Sequence, residues 1–147
     1  MTNSIDGDVR IQLAAHDIDP AKPLILCDAD EVLLAFLAAF ERFLHNGGYY
    51  FLWRSYALDG NVCLRTDDSE VSKNQVRVLI EQFYAGHIAT LAPVAGAAEA
   101  LKRLSTRAEI IVLTNLWREH LAARQRQLAG HGVPYPVISN NGSKGPA

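Results

Sequence analysis

Two short stretches of this chain are apolar at nearly every position and then stop abruptly. Leu24–Cys27 lies between Pro23 and the acids Asp28, Asp30 and Glu31, and residues 109–113, EIIVL, run into Thr114 and Asn115. Stretches this short and this sharply bounded read as strands buried on both faces, the kind found inside a parallel sheet with helices above and below. Parallel strands need a crossover between them, so helices must fill the intervening sequence. The acids after the first stretch ask for a reason, because desolvating a charge at the end of a buried strand is costly.

The rest of the chain supplies the helices. Between residues 32 and 45, Val32, Leu33, Phe36, Leu37, Phe40, Phe43 and Leu44 recur at helical spacing, and Gly47 and Gly48 stop the helix. Ser72 and Gln75 have capping-box spacing at the head of a second helix, with Val76, Leu79, Ile80 and Phe83 on one face and Gly86 at its end. A turn at Pro93 leads to a short helix through Ala98, Leu101 and Leu104. A longer helix spans about 117–129 before Gly130, and YPVIS at 135–139 reads as a third strand. Residues 49–64, aromatic and apolar with an Asp59-Gly60 turn signal, read as a hairpin. Residues 1–22 show no clear period and read as a tail entering the first strand. Strands alternating with helices predict an α/β fold with a parallel sheet and right-handed crossovers.

Composition narrows the partners. The chain has 147 residues, a net charge of −2 and no basic stripe, so a nucleic-acid partner is not expected. The N-terminus carries acids where a signal peptide needs basic residues, and the longest apolar run, 32–40, is far too short to span a bilayer. A cytoplasmic protein with no membrane partner is the expectation. Cys27 and Cys63 suit reduced thiols rather than a disulfide scaffold or a zinc site, and the five histidines have no metal-ligand spacing.

In open parallel sheets, ligands bind beyond the carboxyl ends of the strands. Three such ends carry Asp28 and Asp30, Thr114 and Asn115, and Ser143 and Lys144. Two acids, a hydroxyl and a lysine at one rim suit a phosphoryl group. A carboxylate can attack phosphorus to form an aspartyl-phosphate, while Mg²⁺ and a lysine offset charge on the equatorial oxygens. A second carboxyl can protonate the leaving group and then deprotonate the attacking water. Each residue also has a plainer reading. Asp30 can cap a helix beginning near Val32, Thr114 can bond the backbone, and Lys144 can be a solvated lysine. Tyr49, Tyr50, Phe51, Trp53 and Tyr56 can line a substrate pocket or pack an apolar core. Arg54 and Arg65 can meet phosphate or solvent.

An apolar strand followed by DADEV, a second followed by TN, and a later SKG together resemble the haloacid dehalogenase (HAD) superfamily. The likeness covers residues 24–34 and 91–145. It implies a Rossmann-like parallel sheet flanked by helices, with a core from 1–34 and 91–147, a small inserted cap at 35–90, and C-terminal strands missing. Carried over, Asp28 is the nucleophile and Asp30 the acid/base, both holding Mg²⁺. Thr114 and Asn115 bind the phosphorylated substrate, and Lys144 neutralises charge. The second aspartate is typical of the family's phosphatases and phosphotransferases and absent from its dehalogenases. The implied activity is Mg²⁺-dependent hydrolysis of a small phosphate monoester. A phosphomutase-type transfer, or binding of a phosphorylated ligand without turnover, is the alternative. The chain departs from the family twice. Glu31 stands where a glycine is common, and Ala147 follows Lys144 by three residues, before the acidic pair that completes the family's metal site. A weak or inactive chain is then expected, with Leu24–Cys27 as an exposed sheet edge that invites pairing, a homodimer included.

Overall fold

The computed structural model describes residues 7–140. The chain divides into two compact units, Met1–Ala35 with Ala92–Ala147, and Phe36–Leu91. The first unit is α/β. Its sheet has three parallel strands in the order β1 (Leu24–Cys27), β4 (Glu109–Thr114), β5 (Val137–Ser139). Helices α1 (Gly7–Ala14), α4 (Ala97–Leu104) and α5 (Leu121–Gly130) accompany it, with a 3₁₀ turn at Arg118–His120 leading into α5.

β4 is the buried centre, with every residue from Ile110 to Thr114 inaccessible. β1 is an edge. Its burial alternates, and Leu24 and Leu26 are each 43% exposed, so the reading of a strand buried on both faces holds for β4 and fails for β1. The N-terminal segment is not a bare tail. In α1, Val9 packs into a core cluster with Ile111, Leu113 and Ile138, and Leu13 and Ile18 lie against it. The Gln12 side chain bonds the Ser139 main chain in both directions, each at 2.9 Å.

The second unit holds α2 (Phe36–Asn46), the antiparallel pair β2 (Tyr49–Phe51) and β3 (Val62–Leu64), and α3 (Lys73–His87) with a 3₁₀ turn at Ile88–Thr90. The hairpin is present, yet its connection is a ten-residue loop, 52–61, and not a tight turn at Asp59-Gly60. Asn61 organises that loop. It is fully buried, its amide donates to the carbonyls of Ser55 and Ala57, and its Oδ1 accepts from the Arg54 N–H. Ser72 caps α3 as its spacing predicts, accepting from the Gln75 N–H at 3.3 Å, and the helix runs past Gly86 to His87.

The core of this unit is aromatic, but not through the residues near the hairpin. Phe83 sits 5.4–5.5 Å from the rings of Phe36, Phe40 and Phe43, mostly edge-on, and Phe36 stacks on Phe40 at 5.2 Å. Trp53 and Tyr56 are exposed, with the Trp53 indole N–H donating to Glu41, and Tyr49, Tyr50 and Phe51 are half-buried. Arg54 pairs with Glu70 at 3.3 Å and Arg65 is exposed. Among the described residues no helix is long and apolar enough to cross a membrane.

Candidate functional site

β1 ends at Cys27, opposite Val112 of β4. Neighbouring strands lie about 4.7–4.9 Å apart, so the segments that continue from their ends leave the sheet side by side. This register brings Asp28 and Asp30 to the same carboxyl edge as Thr114 and Asn115. β5 ends there as well, where Asn140 donates its N–H to the Thr114 carbonyl at 2.8 Å and its side-chain amide to Asn115 Oδ1 at 3.3 Å. Ser143 and Lys144, also expected at this rim, lie outside the described residues.

Past Cys27 the chain makes one tight turn. The Ala29 carbonyl accepts from Leu33 and Leu34 at 2.8 and 3.0 Å, and Glu31 donates to the Leu34 carbonyl at 2.8 Å. Closing the turn puts Glu31 at φ 61°, a left-handed conformation that suits glycine and strains a residue with a Cβ. The departure from the resembled family thus leaves the backbone in the conformation a glycine takes most easily. Residues 32–35 belong to this turn and not to α2, which begins at Phe36. Their helical spacing arises because Leu33 and Leu34 are buried under a loop that then runs beside the returning chain. Val94 donates to the Leu33 carbonyl at 2.9 Å and Ala35 to the Ala92 carbonyl at 2.8 Å.

The two aspartates meet different surroundings. Asp28 is exposed, and its Oδ1 accepts from the adjacent N–H, that of Ala29, at 2.7 Å. Asp30 is 26% exposed and its Oδ1 takes a charge-assisted bond of 2.8 Å from Arg124 Nη1, whose side chain is 0% exposed. Asp30 is therefore tied to α5, and the helix it was expected to cap starts later, at Phe36. Arg124 was not anticipated from the sequence. Its signal is position. It falls between Leu121 and Leu128 at helical spacing, in a slot an apolar residue normally fills. A guanidinium on a helix's buried face needs a carboxylate, and Asp30 provides one.

Thr114 is 1% exposed, its Oγ1 accepts from the Leu116 N–H at 3.4 Å, and Asn115 beside it is exposed. Among the described residues, no group of three or more His, Cys, Asp or Glu side chains is placed to hold a metal ion. Chemically, the edge offers an exposed carboxylate, a second carboxylate fixed by a buried cation, and amide and hydroxyl groups around them. No protein-family model matches the chain, and no curated protein matches it.

Proposed function

We propose that this chain is a HAD-like phosphoryl-transfer domain that hydrolyses small phosphate monoesters through an aspartyl-phosphate on Asp28. In this reading the α/β unit is part of a Rossmann-like core and Phe36–Leu91 is its inserted cap, the element that selects substrate. The observation that carries it is the placement of an exposed carboxylate, Asp28, at the end of β1 beside the Thr114-Asn115 end of the parallel neighbour β4.

Each residue has its own part in the reaction. An Asp28 carboxylate oxygen bonds to phosphorus as the ester P–O bond breaks, and the departing alkoxide takes a proton carried on Oδ2 of Asp30, whose Oδ1 stays on Arg124. Water then attacks the phosphorus of the aspartyl-phosphate, Asp30 recovers a proton, and inorganic phosphate leaves with Asp28 restored. Asn115 holds phosphoryl oxygens, the buried Thr114 hydroxyl, accepting from the Leu116 N–H, fixes the loop that presents it, and Lys144 offsets their charge. The donor set fits Mg²⁺, which keeps several waters and takes only one or two carboxylates alongside substrate phosphate. The Asp28 carboxylate and the Asp30 main-chain carbonyl would hold it, and it would supply charge neutralisation at the equatorial oxygens. Arg124 fixes the direction of the Asp30 carboxyl.

Single-turnover reaction with an aryl phosphate and Mg²⁺, quenched in acid and read by peptide mass spectrometry, tests this. The expected product is a phosphorylated peptide carrying Asp28 that is absent from Asp28→Asn. Turnover that survives Asp28→Asn, or label on another residue, overturns the mechanism. Saturable phosphate binding with no label on any residue replaces it with a ligand-binding role.

A further inference from the structure

The two edges of the sheet are finished differently. On β5, the Pro136 carbonyl and the Asn140 N–H bond to β4 at 2.8 Å each, so Val137 and Ser139 turn their main chains outward. The Ser139 groups are both taken by the Gln12 amide at 2.9 Å, and Val137 is buried at 6% exposure. On β1, the Pro23 carbonyl bonds Glu109 at 2.9 Å, so Pro23, Ile25 and Cys27 face β4 and Leu24 and Leu26 turn their N–H and C=O groups outward. No described residue bonds those groups, and the two leucine side chains stand 43% exposed on one face. Open backbone beside apolar side chains is a template for another strand.

We propose that the strand it takes is β1 of a second copy of this chain, paired antiparallel about a two-fold axis at Ile25. The register follows from the residues. Outward-facing groups must meet outward-facing groups, which confines the axis to Leu24, Ile25 or Leu26. With the axis at Ile25, Leu24 of each copy exchanges both backbone bonds with Leu26 of the other, four bonds in all, and their side chains meet on the shared face. The same register sets Lys22 of each copy opposite Asp28 of the other. Both are exposed, and each stands two residues beyond a leucine in the strand's alternation. An axis at Leu24 would set Lys22 against Leu26, and an axis at Leu26 would set Asp28 against Leu24. Only Ile25 matches apolar with apolar and cation with anion. Lys22 already lies 3.6 Å from Glu109, but at 46% exposure it is long and loose enough to serve both acids. Because Gln12 takes the Ser139 groups and Val137 is buried, the β5 edge is closed to another strand, so pairing stops at two copies and joins the two three-stranded sheets. The inference rests on the sheet edges; it shares Asp28 with the phosphoryl-transfer reading, and it is read by association state without any turnover.

Sedimentation equilibrium of the whole chain should show a dimer. Lys22→Asp should weaken it about tenfold, since two cross-strand pairs become repulsive, and adding Asp28→Lys should restore it. In a Cys27→Ser background, Ile25→Cys should form an intermolecular disulfide on mild oxidation. Residues facing on the axis are non-hydrogen-bonded partners about 4.5 Å apart at Cα, within disulfide reach. Leu24→Cys in the same background should not crosslink to itself. A monomer at every concentration, a dimer indifferent to these changes, or an open-ended polymer overturns the proposal. A monomer whose Leu24 and Leu26 amides resist hydrogen exchange would overturn it too, assigning the edge to a segment of the same chain.

Discussion

Glu31 carries backbone strain. At φ 61° an L-residue costs on the order of 1–2 kcal/mol, which glycine avoids. Glu31→Gly is expected to raise stability by about 1 kcal/mol, part of the relief being offset by the freedom glycine gives the unfolded chain. Glu31→Ala removes the carboxylate but keeps the Cβ, so it should not stabilise. Equal denaturation midpoints for the two variants would trace any gain to the lost charge instead. Asp30 poses the opposite problem. Its partner Arg124 is 0% exposed, and removing one member of such a pair leaves the other buried and uncompensated. Asp30→Ala should cost about 3 kcal/mol, and Asp30→Ala with Arg124→Met should recover much of it. A double variant no more stable than the single would show that the pair is not the cause. Asp30 variants thus confound chemistry with folding, whereas the exposed Asp28 can be changed with the fold left standing.

Elements were legible where one local signal decided them. The Ser72 cap, the strands at 109–113 and 135–139, and the presence of a hairpin within 49–64 were readable because capping geometry and runs of apolar residues act over a few positions. α1 was not. Val9, Ile11 and Leu13 alternate as in a strand, only Val9 is buried in α1, and the helix owes its place to that contact and to the Gln12–Ser139 bonds, both made with distant sequence. LILC has the same character whether one side or both are covered, so the edge position of β1 was hidden in its composition and was expected only from the resemblance. The loop 52–61 escaped for a related reason. Asp59-Gly60 is a turn signal, yet the loop is held from within by Asn61, whose four side-chain bonds satisfy groups between residues 54 and 57. Asn61→Ala removes four part-buried bonds at once and should cost about 1–3 kcal/mol. Asn61→Asp keeps the acceptor but loses the donors, and should be at least as damaging. Thermal denaturation of both checks this, and unchanged midpoints would remove Asn61 from its role. Nearby, Asp67 is held below the usual carboxylate range, first by the Ser69 hydroxyl and then by the Ser69 N–H. Its contribution is present above the ordinary aspartate range and fades as pH falls through the lowered value. Ser69→Ala should move the Asp67 titration upward in NMR.

At the scale of the whole chain, the division at residues 35 and 92 has a local cause. The outgoing segment 33–35 and the returning segment 92–94 lie antiparallel, joined by the Ala35–Ala92 and Val94–Leu33 bonds and by a bridge between Leu34 and Pro93. Everything from Phe36 to Leu91 therefore leaves and returns at one point, as an insertion does. Two strand-like segments with hydrogen-bonded ends need only a two-residue turn to join them, and Asn-Gly has the twist for it. Replacing 36–91 by Asn-Gly should give a chain that keeps the β1–β4–β5 sheet, because the cluster of Val9, Ile111, Leu113 and Ile138 and the Asp30–Arg124 pair lie wholly in the segments retained. Slow hydrogen exchange at Ile111 and Val112 in the shortened chain is the expected result, and an unprotected β4 would show that the sheet depends on the inserted unit. The same chain separates the proposed roles. If Phe36–Leu91 selects substrate, the shortened form should still accept phosphate from a small aryl ester onto Asp28 while losing discrimination among larger esters.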